Sequence, residues 1–179
     1  MKDTPSLPPN RASSGAQHGG AASSGLKHGV PESGILVRHL VADDLDAVME
    51  IENASFSAPW SLSTFRSLLR RGDADVLAAV EDGRLLGYAI CWTILDQAEL
   101  GNVAVAGDAR RRGVARMLVR AALERARERG AAECYLEVRH SNLAARALYE
   151  AHGFEVISRR RRYYSNPTED AIVMRAVLV

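Results

Sequence analysis

An Arg-Arg-Arg-Gly-Val-Ala run at positions 110–115 lies between a predicted strand and the start of a predicted long helix. The first N–H groups of a helix have no partner inside the helix, and the helix dipole adds partial positive charge there. Gly113 lets a ligand approach the backbone closely, and the three arginines strengthen the positive field. The run predicts a site for a phosphate or pyrophosphate, although an arginine-rich loop before a helix would contain the same residues.

The carboxylate of Glu137 is a second candidate, because it interrupts an apolar strand predicted over 134–138. Side chains alternate along a strand, so Tyr135, Glu137 and Arg139 share one face and Cys134 faces the other way. A carboxylate among apolar neighbours is either exposed where the strand leaves the sheet or functional. The sequence leaves both interpretations of Glu137 open.

Two polar side chains follow Glu137 at short spacing. Asn142 lies in the turn after the strand, and Tyr149 lies about two turns into the next predicted helix. Taken alone, they are typical of a helix N-cap and of core packing. Cys134 as an acyl carrier lacks a histidine partner, and His140 is typical of a surface turn. No set of metal-ligand residues has metal-site spacing, so we expect no bound metal.

The elements that must position these residues can be identified from hydrophobic periodicity and turn residues. Helices are predicted from Ala42 to Ile51, in a short segment capped by Ser61, and over 113–129 and 143–152. Strands are predicted over 35–40, 75–80, 85–94, 99–105, 134–138, 154–162 and 171–178. This order predicts a mostly antiparallel sheet with one parallel crossover through the long helix.

Composition narrows the class of protein. The 179 residues carry 23 basic and 22 acidic side chains, a balance that argues against a polybasic nucleic-acid coat. Residues 1–34 are rich in Gly, Ser and Pro and predict a disordered tail, and residues 35–179 predict one domain. Two cysteines give no disulfide framework, and no segment resembles a signal peptide or a membrane span. We therefore expect a cytoplasmic protein without membrane or direct nucleic-acid partners, of unknown oligomeric state.

Several blocks taken together resemble the GNAT superfamily of acetyl-CoA-dependent N-acetyltransferases. The phosphate run follows Gly-Asn-Val-Ala-Val at 101–105, and Leu-Glu-Val-Arg at 136–139 precedes Ser-Asn, Ala-Leu-Tyr-Glu and Gly-Phe. Ala-Pro-Trp-Ser at 58–61, Arg-Tyr-Tyr at 162–164 and Glu-Asp-Ala at 169–171 are most similar to the RimI type. The resemblance covers residues 35–179. It implies the α/β (mixed α+β) GNAT fold, with a mixed, mostly antiparallel sheet of six to seven strands and about four helices.

The resemblance also implies a role for each matching residue. Acetyl-CoA is the implied co-substrate, with Glu137 as general base and Tyr149 as general acid. Asn142 would hydrogen-bond the pantetheine arm. Because an N-terminal residue needs a closely fitting pocket, Tyr163 and Tyr164 are candidates to line the acceptor slot, and Trp60 is a candidate for its opposite side with a core role as the equal alternative. The cofactor would be held by backbone groups of Val103, Ala104 and Val105 along the pantetheine and by amides of Arg111, Arg112, Gly113, Val114, Ala115 and Arg116 at the pyrophosphate.

The function implied by the RimI type is transfer of acetyl to the N-terminal alanine of a small-subunit ribosomal protein. Two alternatives stay open: acetylation of another N-terminus, a lysine or a small amine, and an idle acyl-CoA-binding or ribosome-associated module. The short loop 165–168 leaves the acceptor preference open. The arginines at 159–162 are interpreted as a solvated strand edge, with contact to a partner as the alternative.

Overall fold

The computed structural model describes residues 34–178, so the predicted tail lies outside the described residues apart from Gly34. Its strands are β1 Leu36–His39, β2 Ala74–Glu81, β3 Arg84–Ile94, β4 Gln97–Val105, β5 Glu133–Arg139, β6 Glu155–Ser165 and β7 Thr168–Val177. Its helices are α1 Leu45–Ser55, α2 Leu62–Leu68, α3 Val114–Glu128 and α4 Leu143–Glu150. In this part of the chain, no helix is both long enough and apolar enough to cross a bilayer.

The strands form one sheet in the order β1-β2-β3-β4-β5-β7-β6. Neighbouring strands are antiparallel except for β4 and β5, which are parallel and are connected by α3. Seven strands and four α-helices within residues 34–178 confirm the fold predicted from the sequence, including its single parallel crossover.

Apolar side chains cover both faces of the sheet. On one face, α3 contributes Val114, Leu118 and Ala122 to a core that also receives Leu136 from β5 and is contacted by α4. The other face packs against α1 and α2, with the buried rings of Trp60, Phe65, Tyr88 and Trp92. Both helical layers are needed because each strand in the centre of the sheet presents apolar side chains in both directions.

The strands β4 and β5 pair for only three residues and then separate. Their register runs from Gln97 opposite Glu133 to Glu99 opposite Tyr135 and continues no further. The remaining parts of the two strands, 100–105 and 136–139, diverge. This divergence opens the centre of the sheet.

A bulge in β4 lies at the point where the strands separate. Ile90 pairs with Asn102 and Cys91 pairs with Leu100, so Gly101 is an extra residue in β4. An extra residue reverses the side-chain alternation beyond it. Leu100 therefore faces the α3 layer, whereas Asn102 reaches the α1 layer. A Cβ on Gly101 would lie 2.3 Å from the Trp92 ring, so only glycine fits there.

The last hairpin differs in length from the prediction. β6 continues to Ser165 and β7 begins at Thr168, so the predicted loop 165–168 is a two-residue turn. The ladder shifts register between Arg160 and Tyr164, where Arg162 has a φ of 52°. β6 forms one edge of the sheet, and its residues 155–162 are exposed. The arginines thus lie on a solvated edge, yet Arg160 also contacts Glu137.

Candidate active site

A cavity of about 370 Å³ occupies the gap between the diverging strands, and we call it the splay cavity. The helical layer of α1 and α2 contributes α1 and the α1–α2 connection to the cavity wall, and the α3 layer contributes α4. The β6–β7 turn closes one side of the cavity. The residues around it include Glu52, Trp60, Asn102, Val103, Glu137, Asn142, Tyr149 and Tyr164. Six of the predicted site residues outside the phosphate run, from five separate parts of the chain, therefore meet at one cavity.

The predicted phosphate run forms a turn before α3. Gly113 is the N-cap of α3 with a φ of 82°, and Arg111 has a φ of 63°. These two left-handed residues curl the chain so that the first amides of α3, at Val114, Ala115 and Arg116, begin directly after Gly113. The side chain of Arg112 is directed toward Glu81, whose carboxylate accepts hydrogen bonds from the guanidinium at 2.6 and 2.8 Å. The turn therefore offers backbone donors and the helix dipole to an anion.

Glu137 lines the splay cavity and also a second cavity of about 660 Å³ beside it, which we call the face cavity. Its carboxylate lies 2.5 Å from the guanidinium of Arg160 and is hydrogen-bonded to the phenol of Tyr163. The side chain is 13% exposed, so these two contacts hold it in one orientation between the cavities. The structure thus combines the two interpretations left open by the sequence: Glu137 lies where β5 leaves its neighbour, and it faces a cavity.

Tyr149 and Asn142 face the splay cavity from α4. Tyr149 packs edge-on against Phe154, with ring centroids 5.8 Å apart, and burial raises the pKa of its phenol well above the usual range. Asn142 is the N-cap of α4, where its Oδ1 accepts from the amide of Ala145 at 3.1 Å. The cap engages only the oxygen, so the side-chain NH₂ can donate to a ligand at the same time. Both residues keep the structural roles that the sequence suggested while also lining the cavity.

Glu52 is a site residue that the sequence reasoning missed. It is fully buried in α1, where its carboxylate accepts from the amide of Trp60 at 2.7 Å, from Asn102 Nδ2 at 3.3 Å and from the Tyr88 hydroxyl. Burial raises the pKa of Glu52 to about 7. The available signal was an acidic residue next to the apolar stripe of α1. Its partners lie 8 to 50 residues away in sequence, so the signal gives no indication of them.

Glu99 is the second acidic residue that was missed. It lies on β4 in the face cavity, where the Trp92 indole hydrogen-bonds its carboxylate. Burial, with a contribution from the charge of Glu137, raises the pKa of Glu99 to about 7. In the sequence, Glu99 appeared to be an ordinary polar residue at the start of a strand.

The three residues predicted for the acceptor slot are divided between the cavities. Trp60 is 4% exposed and packs against Phe65, so it is a core residue whose edge lines the splay cavity. Tyr164 lines the same cavity, and Tyr163 lines the face cavity. Burial raises the pKa of Tyr164 to about 12.

Arg139 holds the β6–β7 turn against the splay cavity. Its guanidinium lies 4.2 Å from the centre of the Tyr164 ring and donates to the carbonyls of Asn166 and Pro167 at 3.3 and 3.2 Å. It also reaches the hydroxyl of Ser57 at 3.4 Å, in the α1–α2 connection. One side chain therefore links the two loops that border the cavity.

Cys134 points away from the cavities. It is fully buried in the α3 layer beside Cys91. This position fits the packing role that the alternation of β5 predicts.

Comparison with known proteins identifies the family of the chain. A model of the acetyltransferase (GNAT) family matches residues 45–154. The chain is 38% identical over 141 residues to the [ribosomal protein bS18]-alanine N-acetyltransferase of Escherichia coli strain K12, covering 77% of this chain and 94% of that protein. The protein of the same name from Salmonella typhimurium is 41% identical over 138 residues, covering 75% and 92%.

Solved structures show the same fold. The crystal structure of the ribosomal-protein-S18-alanine N-acetyltransferase from Escherichia coli superimposes with a TM-score of 0.74 at 36% identity, covering 80% of this chain and 94% of that one. The Ard1 protein from Thermoplasma volcanium, at 23% identity and a TM-score of 0.75, shares the fold. The chain therefore belongs to the GNAT family of acetyltransferases and is of the RimI type.

Proposed function

We propose that this enzyme transfers the acetyl group of acetyl-CoA to the α-amino group of the N-terminal alanine of ribosomal protein bS18. The amine attacks the thioester carbon directly, with Glu137 as general base and Tyr149 as general acid. The observation that carries the proposal is the position of these two residues on one cavity, which β4 also lines before the chain continues into the turn that precedes α3. The names of the relatives support bS18 as the acceptor.

The chain's own residues fit the co-substrate from end to end. The turn at 110–113 and the first amides of α3 would hold the pyrophosphate, and the NH₂ of Asn142 would hold the pantetheine arm. Beyond Glu99, β4 has no register with β5, so its backbone at Val103 to Val105 can pair with the arm instead. A backbone N–H in this stretch would stabilise the oxyanion, an effect worth about 3 kcal/mol per donor.

An N-terminal amine suits a carboxylate base. An ordinary α-amino group has a pKa of about 8, so about one-tenth is neutral at pH 7, whereas a lysine with a pKa of about 10.4 is almost wholly charged. Glu137 needs to accept only one readily lost proton, directly or through a water. The neutral nitrogen then bonds to the carbonyl carbon and gives its second proton to water, the carbon–sulfur bond breaks, and the sulfur leaves with the proton that Tyr149 donates.

Replacement of Tyr149 by Phe should slow turnover without abolishing it. Burial keeps the phenol protonated and places its pKa above that of a thiol, about 8.5, so full proton transfer to the leaving sulfur is uphill. We expect kcat to fall roughly 30-fold while CoA binding is retained. Steady-state kinetics on Tyr149→Phe measure this, with Tyr135→Phe as a matched loss of a phenol outside the splay cavity. Unchanged kcat across pH 6–9 would exclude Tyr149 as the acid.

Replacement of Gly113 by Ala should weaken acetyl-CoA binding. A Cβ there contacts nothing within 4 Å, so the cost comes from the left-handed φ of 82° and is about 1 kcal/mol. A backbone that relaxes away from this φ also misdirects the first amides of α3. We expect the KM for acetyl-CoA to rise about tenfold with little change in kcat. Gly107→Ala is the matched control, because Gly107 is in the same loop, has open space and lacks a left-handed φ.

Mass spectrometry of two peptides tests the function. One peptide carries the N-terminal residues of bS18 with a free alanine amine, and the other has the same sequence with a blocked N-terminus and one internal lysine. Each is mixed with acetyl-CoA and the protein. Acetyl on the free N-terminus alone is the expected result.

The other outcomes have distinct meanings. Equal modification of the internal lysine would favour the lysine or small-amine alternative. Binding of CoA without acetylation of either peptide would contradict the proposed acceptor and favour the idle-module alternative.

A further inference from the structure

The side chain of Asn102 lines the splay cavity, and the proposed mechanism does not use it. Its NH₂ group already has two partners in the protein: Nδ2 donates to Oε2 of Glu52 at 3.3 Å and to the Tyr88 hydroxyl at 3.4 Å. Both partners are fully buried. The NH₂ end of the Asn102 amide is therefore held inside the protein.

The chemistry of these partners decides which end of the amide faces them. An ionised carboxylate accepts hydrogen bonds and cannot donate one. The Tyr88 hydroxyl donates its single hydrogen to Glu52, so its oxygen can only accept from Asn102. The amide must therefore turn its NH₂ toward this pair and its oxygen, Oδ1, away from it.

The Oδ1 atom of Asn102 is open to the splay cavity. Within residues 34–178, no donor is found hydrogen-bonded to this oxygen, and the buried side-chain atoms without a partner are Thr93 Oγ1 and Arg146 Nε. Asn102 Oδ1 is thus neither paired with the protein nor sealed inside it. An amide oxygen only accepts hydrogen bonds, so a ligand that binds it must bring an N–H or O–H group.

The bulge in β4 places Asn102 on the same face of the sheet as Glu137. Leu136 and Val138 belong to the α3 layer, so Glu137 between them faces the α1 layer. Ala104 belongs to the α1 layer, and Asn102, two residues before it, faces the same way. The two side chains therefore reach the gap from separate strands on one face, and both line the splay cavity.

The acceptor amine is the donor that fits this position. Asn142 and Tyr149, the side chains proposed for the cofactor arm and the leaving sulfur, come from α4, which packs against the core on the opposite face. The thioester itself has no N–H or O–H group. A neutral α-amine has two N–H bonds and one lone pair, so one N–H can point to Asn102 while the lone pair points to the thioester carbon.

Resting on the proposed function, we propose that Asn102 binds the α-amino group of the acceptor: its Oδ1 accepts one N–H of the amine from the β4 side of the gap, opposite Glu137 on β5. Asn102 takes no proton and only orients the nitrogen toward the thioester. Glu52 is then a positioning residue, because it holds the Asn102 amide with its oxygen toward the cavity.

Two substitutions should remove this contact by different routes. Asn102→Leu replaces the amide by an apolar side chain of similar size. Glu52→Gln keeps Asn102 but reverses it: the Trp60 amide can only donate, so the new side chain turns its oxygen toward Trp60 and its NH₂ toward Asn102. Asn102 then offers its oxygen to position 52 and its NH₂ to the cavity. Glu52→Gln keeps the shape of the side chain, so it tests the proposal even if Asn102→Leu does not fold.

Calorimetry on the CoA complex at pH 8 measures the contact without turnover. CoA carries no acetyl group, and Glu52, with a pKa of about 7, is mostly ionised at this pH. One probe is the N-terminal peptide of bS18 with a free alanine amine, and the other has a propionyl group in place of the alanine, so that it lacks only the amine. The wild-type protein should bind the alanyl peptide more tightly. We expect the ratio of the two Kd values to fall about tenfold in Asn102→Leu and in Glu52→Gln.

Tyr88→Phe is the matched control, because it removes another donor to Glu52 from a ring buried in the core. It should change the ratio of Kd values less than twofold. A loss as large as that in Asn102→Leu would overturn the inference, since Asn102 would then only complete the hydrogen bonds of Glu52. A wild-type ratio in either Asn102→Leu or Glu52→Gln would also overturn it, even with the peptide acetylated as proposed. Wild-type protein that binds CoA but neither peptide would contradict the proposed acceptor and this inference together.

Discussion

The Glu137→Gln substitution should lower kcat/KM for the peptide acceptor by a factor of between about 10² and 10⁴. Glutamine keeps the shape of the side chain and can still contact Tyr163, but it cannot accept a proton from the amine. The loss should appear in kcat, because the amide leaves the walls of both cavities in place. Stopped assays of acetylated peptide, together with CoA binding by calorimetry, measure the two effects separately.

The pH dependence of this variant distinguishes a base from a structural residue. As pH rises above 8, a growing fraction of the acceptor amine is already neutral, so Glu137→Gln should recover part of its activity. Glu150→Gln, an exposed change on α4, should retain wild-type activity. If Glu137→Gln were within threefold of the wild type at pH 7, Glu137 could not be the base.

Substitution of Glu52 should have the largest effect on stability. Glu52→Ala removes the acceptor for three donors at once: the Trp60 amide, the Tyr88 hydroxyl and the Asn102 side chain. Buried donors without partners cost about 1–3 kcal/mol each, so we expect a loss of about 3 kcal/mol at pH 5 and a Tm lower by about 9 °C. Trp60 and Asn102 line the splay cavity, so the KM for the peptide should rise more than kcat falls.

The pH dependence of stability tests the ionisation of Glu52. Its pKa is about 7 in the folded protein against 4.5 ordinarily, so the folded state binds the proton more tightly than the unfolded chain. This contribution to stability is complete below pH 4.5 and is lost as pH rises through 7, a change of about 3 kcal/mol. Glu52→Gln cannot ionise and should be less sensitive to pH between 5 and 8.

Urea denaturation at pH 5 and pH 8 measures this difference. Glu50→Gln, an exposed change on the same helix, should show the wild-type change in the free energy of unfolding between these two pH values. Glu99 has a pKa of about 7 as well, so Glu52→Gln should retain the part of that change that belongs to Glu99. If Glu52→Gln showed the full wild-type change, ionisation of Glu52 would not affect stability and its pKa would not be raised by folding.

Local patterns in the sequence predicted the helices and strands, the turn before α3 and the position of Glu137. Periodicity predicted α3, and the run at 110–115 predicted a turn that the structure builds from two left-handed residues, Arg111 and Gly113. Alternation along β5 placed Glu137 on the face opposite Cys134. These features depend on neighbours within a few residues, which is the range over which helices, turns and pleats form.

The family resemblance added the roles of Glu137, Tyr149 and Asn142, and these roles remain predictions. Tyr149 alone suggested core packing and Asn142 alone a cap, and each is found in that position while also lining the splay cavity. The interpretation of each residue taken alone was therefore incomplete, because a side chain that caps or packs a helix can also line a cavity.

Local sequence patterns predict the order of the elements, the single parallel crossover, the turn before α3 as a candidate anion site, and the candidate base. Three features became visible only in the folded chain: β4 and β5 separate after Glu99, the Gly101 bulge turns Asn102 toward Glu52, and Arg160 pairs with Glu137. The difference comes from the distance along the chain over which each feature is set. A bulge changes which face a side chain occupies, and a carboxylate's ionisation depends on burial and on charges from strands far apart in sequence, neither of which local residue patterns encode.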